Sequence, residues 1–478
     1  MKKLLLVLVL LAALMTGVAA AEGMTLTSGD YVYNLLEDGT AEIVEYKGRA
    51  KALTVPEEID GHRVTTIATG AFGYSRTLTS ITLPDSITAV RGNPFIASWE
   101  LAEIIVSPDH PVLAVIDGVL FDMPQKRLIS YLCGSRADCY TVPEWVLAIG
   151  DSAFFGGETL RHITLPEGLV SIGSSAFYDC TRLTEITLPE GVTFIGASAF
   201  SRCEALKSIT LPQGVTVIRD FTFYYCIDLA SVTLPEGLEV IGMDAFWSCR
   251  SLAEITLPDG LVSIGPNAFA GCIALSQVSL PDSLVSLDEH AFSSCGSLQR
   301  IALPDSLAAV GANPFLNCTQ LTEIIVSPDH PTLMTIDGVL FNRAEGRLLT
   351  YPCAFAAERY EVPQGTRAIG DSAFWLCRTL GSVTLPEGLE SIGKQAFREC
   401  SSLSSVTLPE GIVSIGDGAF ARCVALKQIN LPESVTILGG KIFEKCGSVT
   451  IAVSPDSLAH KWCTAYALNF VLQGQTGE

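Results

Sequence analysis

The cysteines are the residues of this sequence whose number and spacing could most readily support chemistry. The chain has 15 of them, enough for disulfides, a metal site or reactive thiols. Most stand three residues after a phenylalanine that recurs every 23 residues: Cys180, Cys203, Cys226, Cys249, Cys272, Cys295, Cys318, Cys377, Cys400, Cys423 and Cys446. One cysteine at the same place in every repeat is typical of a small buried hydrophobic side chain.

Two alternatives to buried thiols remain for these cysteines. Neighbouring coils of a solenoid lie about 4.8 Å apart, so distance alone permits disulfides between coils. A metal array is disfavoured because no CxxC pair or histidine-bearing cluster accompanies the cysteines. We therefore predict buried thiols. If one bridge exists, we expect it between Cys133 and Cys139, which are close in sequence and outside the regular series.

Acid–base chemistry would need histidines and carboxylates in a fixed arrangement, and one candidate recurs. Asp109-His110 and Asp329-His330 each stand in a Ser-Pro-Asp-His-Pro segment. Such a pair could exchange protons, but we interpret these residues as turn formers. The sequence contains no HExxH, P-loop, GxGxxG or GxSxG motif. We predict a protein without catalytic, metal or cofactor sites, and a site assembled from distant coils stays the enzymatic alternative.

A 23-residue repeat must position all of these side chains. Leu183–Ala205 shows the repeat in full, and Phe200 marks its register. A fixed period of this length is typical of a solenoid, in which each coil packs only on its neighbours. About 14 coils are marked by a phenylalanine: Phe72, Phe95, Phe154, Phe177, Phe200, Phe223, Phe246, Phe269, Phe292, Phe315, Phe374, Phe397, Phe420 and Phe443.

Within each repeat, the pattern of apolar residues predicts two short strands. Ile186 and Leu188 flank a threonine, as in a strand with one buried face. The proline that follows ends this strand because it has no N–H to donate. A second apolar segment ends at Ile195, Gly196 turns the chain, and Phe200 fills the core. Stacked coils should therefore form two parallel ribbons.

The first candidate binding surface follows the first strand of each repeat. Strand alternation should point these side chains out of the sheet, onto a predicted concave face. The threonine hydroxyls and the variable charged residues beside them could contact a ligand. They could equally be strand-forming residues on a solvated face. This candidate face consists of Thr164, Thr187, Thr210, Thr233, Thr256, Glu185, Glu254 and Arg300.

The second candidate surface follows the residue after each core phenylalanine. Because the phenylalanine points inward, its successor should point sideways or outward. A row of aromatic rings at this position could recognise protein or sugar, or could lie flat over the corner of each coil and shield it. This predicted aromatic ridge consists of Phe155, Tyr178, Tyr224, Trp247 and Trp375.

Departures from the repeat predict the domain boundaries. Residues 1–21 are interpreted as a signal peptide, with two lysines, an apolar run and small residues for cleavage. Residues 22–50 are predicted to form an N-terminal β-hairpin cap around Asp38-Gly39. Residues 51–448 form the array. Residues 449–478 form a C-terminal cap and tail, with a helix that begins after Ser457.

Two coils, near residues 101–142 and 321–362, are enlarged. Their sequences match at a distance of 220 residues, which indicates an internal duplication. In the first, Ile116–Phe121 and Arg127–Leu132 are predicted to form a hairpin that projects from the solenoid. Asp117-Gly118 and Asp337-Gly338 are interpreted as turn residues and not as metal ligands.

Composition limits the partners and the location. Hydrophobic residues make up 48% of the chain, and the formal net charge is -21, so nucleic acid and anionic membrane surfaces are disfavoured partners. No stretch after the leader is long and apolar enough to span a membrane, and the tail carries no covalent anchor motif. We expect a monomer that is secreted or held at the cell surface.

The repeat pattern L-x-x-I-T-L-P-x-G-[LV]-x-x-I-G-x-x-A-F-x-x-C resembles the leucine-rich repeats of the BspA type, which occur in bacterial surface and secreted proteins. The resemblance covers nearly all of Gly29–Leu472. It implies a curved, right-handed leucine-rich-repeat solenoid, rich in short parallel strands and capped at both ends.

The resemblance also bears on function, because family members are linked with adhesion to host matrix proteins, with contact between cells and with immune recognition. It therefore implies non-catalytic binding of an extracellular protein or glycan. The alternative is a structural or scaffolding component of the cell surface, and an enzyme is the third hypothesis.

Overall fold

The computed structural model describes residues 25–473. The chain divides into two compact units, Met1–Ser263 and Ile264–Glu478. Within each unit, the described residues form stacked coils of short strands and turns, and almost no helix. This architecture is the leucine-rich-repeat solenoid that the sequence predicts.

The first strand of each coil lies beside the same strand of the next coil. His162–Thr164 pairs in parallel with Glu185–Ile186, with His162 opposite Glu185. In the first unit these strands are Ala52–Thr54, Ser80–Thr82, Glu103–Ile105, Cys139–Thr141, His162–Thr164, Glu185–Ile186, Ser208–Thr210, Ser231–Thr233 and Glu254–Thr256. In the second unit they are Gln277–Ser279, Arg300–Leu303, Glu323–Val326, Arg359–Glu361, Ser382–Thr384, Ser405–Thr407, Gln428–Leu431, Thr450–Val453 and Phe470–Leu472.

A second ribbon runs through each unit in the same way. In the first unit it contains His62–Ile67, Ala89–Val90, Arg127–Ser130, Ala148–Ile149, Ser171–Ile172, Phe194–Ile195, Val217–Ile218 and Val240–Ile241. In the second unit it contains Ser286–Leu287, Ala309–Val310, Arg347–Thr350, Ala368–Ile369, Ser391–Ile392, Ser414–Ile415 and Ile437–Leu438, and Ser263–Ile264 lies at the division between the units. The prediction of two parallel ribbons is confirmed.

The turn that carries the core phenylalanine is held by two alternating sets of backbone hydrogen bonds. The N–H groups of Ser175, Phe177 and Asp179 donate to carbonyls of the next coil at 2.8–2.9 Å. The N–H of Tyr178 instead donates to Ser175 within its own coil at 3.0 Å. Ser175 and Asp179 have positive φ, a costly conformation for residues with a Cβ. The bonds to the neighbouring coil help to offset that cost.

Phenylalanine and cysteine ladders fill the core. Phe154, Phe177 and Phe200 are fully buried, and consecutive rings stack with centroids 5.1–5.2 Å apart. Most buried thiols of the ladder donate to the carbonyl of the phenylalanine in the preceding coil, as Cys180 does to Phe154 at 3.2 Å. The predicted burial of the regular cysteines is confirmed. Each such thiol is a second donor to its phenylalanine carbonyl, which already accepts a backbone N–H within its own turn, as that of Phe154 does from Gly157 at 3.0 Å.

The glycine after each second strand is required by close packing and not by a special backbone angle. Gly196 does not have positive φ. A Cβ on it would lie 2.4 Å from the backbone nitrogen of Ser174 in the preceding coil, closer than two such atoms can approach. The prediction that Gly196 simply turns the chain therefore missed its main role.

The hairpin predicted in the first enlarged coil is present, but the prediction that it projects from the solenoid is wrong. Leu113–Ile116, Val119–Asp122 and Arg127–Ser130 form an antiparallel meander, and its last strand joins the second ribbon beside Ala148–Ile149. Leu120 is fully buried, because the meander packs into the core. The turn role of Asp117-Gly118 is confirmed, since both residues have positive φ at the tip of the first hairpin. The matching strands in the second unit are Leu333–Ile336, Val339–Asn342 and Arg347–Thr350.

Both ends of the described chain contain the predicted elements. Tyr31–Leu35 and Ala41–Tyr46 form a hairpin around Gly39, with Thr25–Ser28 beside it and Glu58–Ile59 further along. Helix α1 spans Leu458–Ala465, and Ser457 accepts the N–H of His460 as its N-cap. The capping roles of these elements stay predictions. The proposed signal peptide lies outside the described residues, and no helix within 25–473 is long and apolar enough to cross a membrane.

Candidate binding surfaces

The buried cysteines are placed for packing and not for reactivity. Burial raises the pKa of Cys180 to about 12 and that of Cys318 to about 12. A thiol with so high a pKa is almost never a thiolate near neutral pH, and the thiolate is the reactive form. Cys133 and Cys139 are both free thiols. The pair whose sulfur atoms approach each other is instead Cys353 and Cys377, at 3.0 Å.

The recurring Asp-His pair braces a turn. The Nδ1 atom of His110 accepts the N–H groups of Val112 at 3.2 Å and Leu113 at 2.9 Å. The proton of the neutral ring therefore lies on Nε2, which donates to the carbonyl of Pro84 at 3.1 Å. Both ring nitrogens are thus occupied by backbone groups, and the prediction of turn-forming residues is confirmed. Within residues 25–473, no group of three or more His, Cys, Asp or Glu side chains could hold a metal ion.

The first candidate surface, which we call the threonine face, lies on the open side of the first ribbon. In His162–Thr164, Ser208–Thr210 and Glu254–Thr256, the two residues that flank the central buried side chain are exposed. Across the strands, His162 lies 3.1 Å from Glu185 and Arg300 lies 3.9 Å from Glu323. The predicted residues of the first unit are all exposed on this face: Thr164, Thr187, Thr210, Thr233, Thr256, Glu185 and Glu254. Arg300 is exposed on the first ribbon of the second unit.

The aromatic ridge is two stacked pairs and not a continuous row. Phe155 stacks on Tyr178 with centroids 4.9 Å apart, and Tyr224 stacks on Trp247 at 4.8 Å. Ser201 interrupts the row, because this serine is buried and donates to the carbonyl of Tyr224 at 3.4 Å. The four aromatic side chains are half-buried, so each pair covers the corner of its coil and still presents part of its surface to solvent.

Trp375, the fifth predicted member of the ridge, belongs to the second unit and has different neighbours. The guanidinium of Arg398 lies over its ring at 5.2 Å, and the edge of its ring meets His290 at 6.0 Å. Among residues 264–473, no ring stacks face to face on Trp375, and its contact with a ring is this edge contact with His290. Trp375 therefore forms a cation–π pair and does not extend a ridge.

The sequence analysis missed the residues that turn the Tyr224–Trp247 pair into a cluster. Tyr225 lies 5.6 Å from Trp247, and the edge of Phe221 meets Tyr224 at 5.7 Å. Two guanidinium groups lie over Tyr225, that of Arg202 at 5.8 Å and that of Arg250 at 5.9 Å. We call these residues the Tyr224 cluster: Arg202, Phe221, Tyr224, Tyr225, Trp247 and Arg250. The available signal was Tyr-Tyr after Phe223, where most repeats have one aromatic residue or none.

Acidic groups border the Tyr224 cluster. Arg202 binds Asp179 at 3.0 Å and lies 3.7 Å from Glu204, and the hydrogen bond to Asp179 raises the pKa of Arg202. Burial and the nearby Asp220 raise the pKa of Asp244 to about 6. Burial, followed by the charge of Asp244, raises the pKa of Tyr224. The cluster is thus an aromatic surface between cationic and acidic groups.

A groove of about 450 Å³ runs along the second ribbon of the second unit. Gly370, Gly393 and Gly416, the glycines after these strands, line it. Asp371 also lines the groove, but its carboxylate already accepts the N–H of Lys394 at 2.6 Å. The groove is an open channel along the coils, and its acidic oxygens are used to join neighbouring coils.

Several solved structures of leucine-rich-repeat proteins are similar to this chain. Among solved structures, a leucine rich cell surface protein from Faecalibacterium prausnitzii A2-165 is 25% identical over 95% of this chain and 96% of its own, with a TM-score of 0.41. A leucine-rich repeat protein from Bacteroides ovatus ATCC 8483 is 24% identical over 94% and 99%, with a TM-score of 0.43. The pneumococcal vaccine antigen PcpA is 20% identical over 95% and 86%, with a TM-score of 0.35.

No curated protein sequence matches this chain. The model of the BspA type leucine rich repeat region matches residues 50–117, 133–253, 239–356 and 350–461. These segments make up well over half of the sequence and include most strands of both ribbons. The chain therefore belongs to the BspA type leucine-rich-repeat family.

Proposed function

We propose that this protein is a non-catalytic extracellular binding protein that recognises a protein or a glycan through the Tyr224 cluster. The observation that carries the proposal is the stack of Tyr224 and Trp247, extended by Tyr225 and flanked by two arginines. A leucine-rich-repeat scaffold exposes long surfaces and suits binding better than catalysis.

The chemistry of the cluster fits recognition. Half-buried Tyr and Trp rings are held rigid by their neighbours, so little side-chain entropy is lost when a partner packs on them. Tyr, Trp and Arg are the residue types that most often dominate binding energy in interfaces. Arg250 is exposed, and its planar guanidinium can donate paired hydrogen bonds to carboxylate or sulfate groups of a partner. The threonine face would add complementary polar contacts of smaller energy.

Location and assembly form part of the same proposal. We propose that the chain acts as a monomer at the bacterial cell surface or after secretion, with its terminal hairpin and helix α1 as caps of the array. Its net charge of -21 would repel nucleic acids and anionic membranes. Partners whose overall charge is basic or neutral therefore fit best, with any carboxylate or sulfate group located where it meets Arg250. One solved relative is itself a cell surface protein, which supports this location.

The test is a binding survey with a matched control. The protein would be applied to arrays of matrix proteins, mucins and glycans beside a Tyr224→Ala/Trp247→Ala variant. We expect the variant to lose at least about 30-fold in affinity for the captured partner, because truncated aromatic anchors typically cost about 2 kcal/mol or more. The control is Phe155→Ala/Tyr178→Ala, which removes an equivalent stacked pair from other coils of the same unit.

Each outcome decides between surfaces. Loss in the first variant alone supports the Tyr224 cluster, provided that both variants keep their thermal unfolding transitions. Unchanged binding in the first variant contradicts the cluster as the site and makes the threonine face the next surface to test. If no probe on any array binds the wild-type protein, the binding proposal fails and a structural role at the cell surface is favoured.

A further inference from the structure

Two cysteines of the second unit approach each other more closely than packing alone requires. The Sγ atoms of Cys353 and Cys377 are 3.0 Å apart, about 1 Å more than a covalent S–S bond. Cys377 is a buried member of the regular ladder, and Cys353 is half-buried in the turn that follows Arg347–Thr350. The two residues lie on neighbouring coils, whose spacing is compatible with a disulfide.

Cys377 differs from the other thiols of the ladder in its contacts. Cys400 donates to the carbonyl of Phe374 at 3.0 Å, as the regular pattern requires. The sulfur of Cys377 lies 3.9 Å from the matching carbonyl of Tyr351, so that bond is long and weak. Its nearer partner is the sulfur of Cys353, which in turn lies 3.2 Å from the carbonyl of Trp375. At Cys377, a contact between two thiols therefore stands in place of the thiol–carbonyl hydrogen bond of the regular pattern.

We propose that Cys353 and Cys377 form a disulfide by thiol–disulfide exchange with a low-molecular-weight disulfide such as oxidised glutathione. The thiolate of Cys353 attacks one glutathione sulfur, forms a mixed disulfide and releases the first glutathione thiol. The sulfur of Cys377 then loses its proton, attacks the sulfur of Cys353 and releases the second glutathione thiol. Two protein thiols are oxidised and one glutathione disulfide is reduced to two thiols, so atoms and electrons balance.

The order of attack follows from exposure. Burial raises the pKa of Cys377 well above that of a free thiol, which makes it a poor first nucleophile. Cys353 is the more accessible sulfur and can meet a dissolved disulfide. Once the mixed disulfide forms, Cys377 needs only to reach a sulfur that is already its neighbour. The bond would join the end of the second enlarged coil to the next coil, whatever ligand the protein binds.

The first enlarged coil provides an internal control. At a distance of 220 residues, Cys133 matches Cys353, but Gly157 stands where Cys377 is found. Cys133 therefore has the position of the attacking thiol without the resolving partner. Burial raises its pKa to about 11. We expect Cys133 to remain a free thiol, or to stop at a mixed disulfide, under conditions that link Cys353 to Cys377.

Peptide mapping of the intact protein tests the bond directly. After treatment with oxidised glutathione, free thiols are alkylated and the unreduced protein is digested with trypsin. Cleavage after Arg347, Arg359, Arg367 and Arg378 separates the two cysteines, so a disulfide joins the peptides 348–359 and 368–378. We expect this linked pair, and an unlinked peptide 128–136 that carries Cys133.

A Cys353→Ser variant completes the test. In the wild-type protein we expect reduction to lower the unfolding temperature by a few degrees, because a disulfide constrains the unfolded chain. The variant should show no such redox dependence in this region, and its Cys377 should be alkylated only after denaturation. The proposal is overturned if both cysteines of the oxidised wild-type protein are recovered as separate alkylated peptides, or if Cys353 is linked to any other cysteine.

Discussion

The two enlarged coils are identical at more than half of their positions and form the same strands, yet they contact their neighbouring coils differently. Leu113–Ile116 pairs with Val119–Asp122 in the same register as Leu333–Ile336 pairs with Val339–Asn342. Both meanders have the same register shift before the third strand. A duplicated sequence therefore reproduces its local fold faithfully, and the differences lie at the edges, where each copy meets its own neighbours.

Arginine contacts fasten the first copy. The guanidinium of Arg127 donates to the carbonyls of Arg91 at 2.8 Å and Val90 at 2.6 Å, and it lies 3.4 Å from the buried carboxylate of Asp122. In the second copy, the matching Arg347 binds only the exposed Glu345 among the described ion pairs, at 3.0 Å. Asn342 replaces the buried carboxylate there. Arg127 contacts the preceding coil, whereas the close Cys353–Cys377 pair connects the second copy to the next coil. The two copies therefore use different contacts at different edges.

The largest expected effect on stability comes from removing one buried phenylalanine ring from each meander. Phe121 and Phe341 occupy matching positions and are 0% and 4% exposed. We expect Phe121→Ala and Phe341→Ala each to reduce the free energy of unfolding by about 3–5 kcal/mol, because each leaves a large cavity. Denaturant titration of the two variants measures the effect. A loss below about 1 kcal/mol in either variant would mean that its meander is not part of the core.

The second test concerns the arginines. We expect Arg127→Ala to cost about 2 kcal/mol, because it removes two hydrogen bonds and leaves a buried carboxylate without its partner. Arg347→Ala is the matched control and should cost less than about 1 kcal/mol, since exposed ion pairs contribute little. The side chains of Arg127 and Arg347 are 16% and 47% exposed. Equal losses in the two variants would contradict the view that the copies are fastened differently.

The third test transplants the cysteine pair into the first copy. Gly157→Cys places a thiol where Cys377 stands in the second copy, opposite Cys133. Gly157 does not have positive φ, but its Cβ would lie 3.1 Å from Leu160, 3.2 Å from the backbone oxygen of Phe154 and 3.3 Å from the sulfur of Cys180. The side chains and the turn must therefore shift by a few tenths of an ångström. After oxidation we expect a second linked peptide pair and a gain of about 1–2 kcal/mol over the reduced variant, less than an ideal disulfide gives. Recovery of Cys133 as a free thiol would show that the copies differ in more than one residue here.

The repeat made much of this architecture predictable. The 23-residue period identified the coils, the burial of Phe177 and Cys180, and the exposure of Thr164, because these features depend only on position within one repeat. The role of Gly196 was missed because the atoms that exclude a Cβ belong to the preceding coil. The meander was misjudged for a similar reason, since alternation in Val119–Asp122 cannot show whether both faces of a strand find neighbours.

The candidate site was only partly predictable. Tyr224 and Trp247 were identified because both follow a core phenylalanine, and rings at equivalent positions of adjacent coils stack. Tyr225 was missed because it occupies the next position, where positive φ turns its side chain in a direction that strand or helix periodicity does not describe. Arg202 and Arg250 reach the cluster from the coils before and after Tyr225, so their contacts depend on the stacking of three coils.

The smallest expected effect is the difference in stability lost when His110 or His330, the histidines that hold the turns of the two enlarged coils, is replaced. The Nδ1 atoms of His110 and His330 accept the same pair of backbone N–H groups. The Nε2 atom of His110 donates to Pro84, whereas that of His330 is buried without a hydrogen-bond partner among the described residues. The buried Nε2 atom of His330 costs stability because it lacks a hydrogen-bond partner. Replacing His330 with Ala removes that cost, which offsets part of the stability lost with the two hydrogen bonds to Nδ1. We expect His110→Ala to cost about 1 kcal/mol more than His330→Ala in denaturant titrations. Equal costs would mean that a water molecule or a local shift satisfies His330 in solution, and that the two braces are energetically alike.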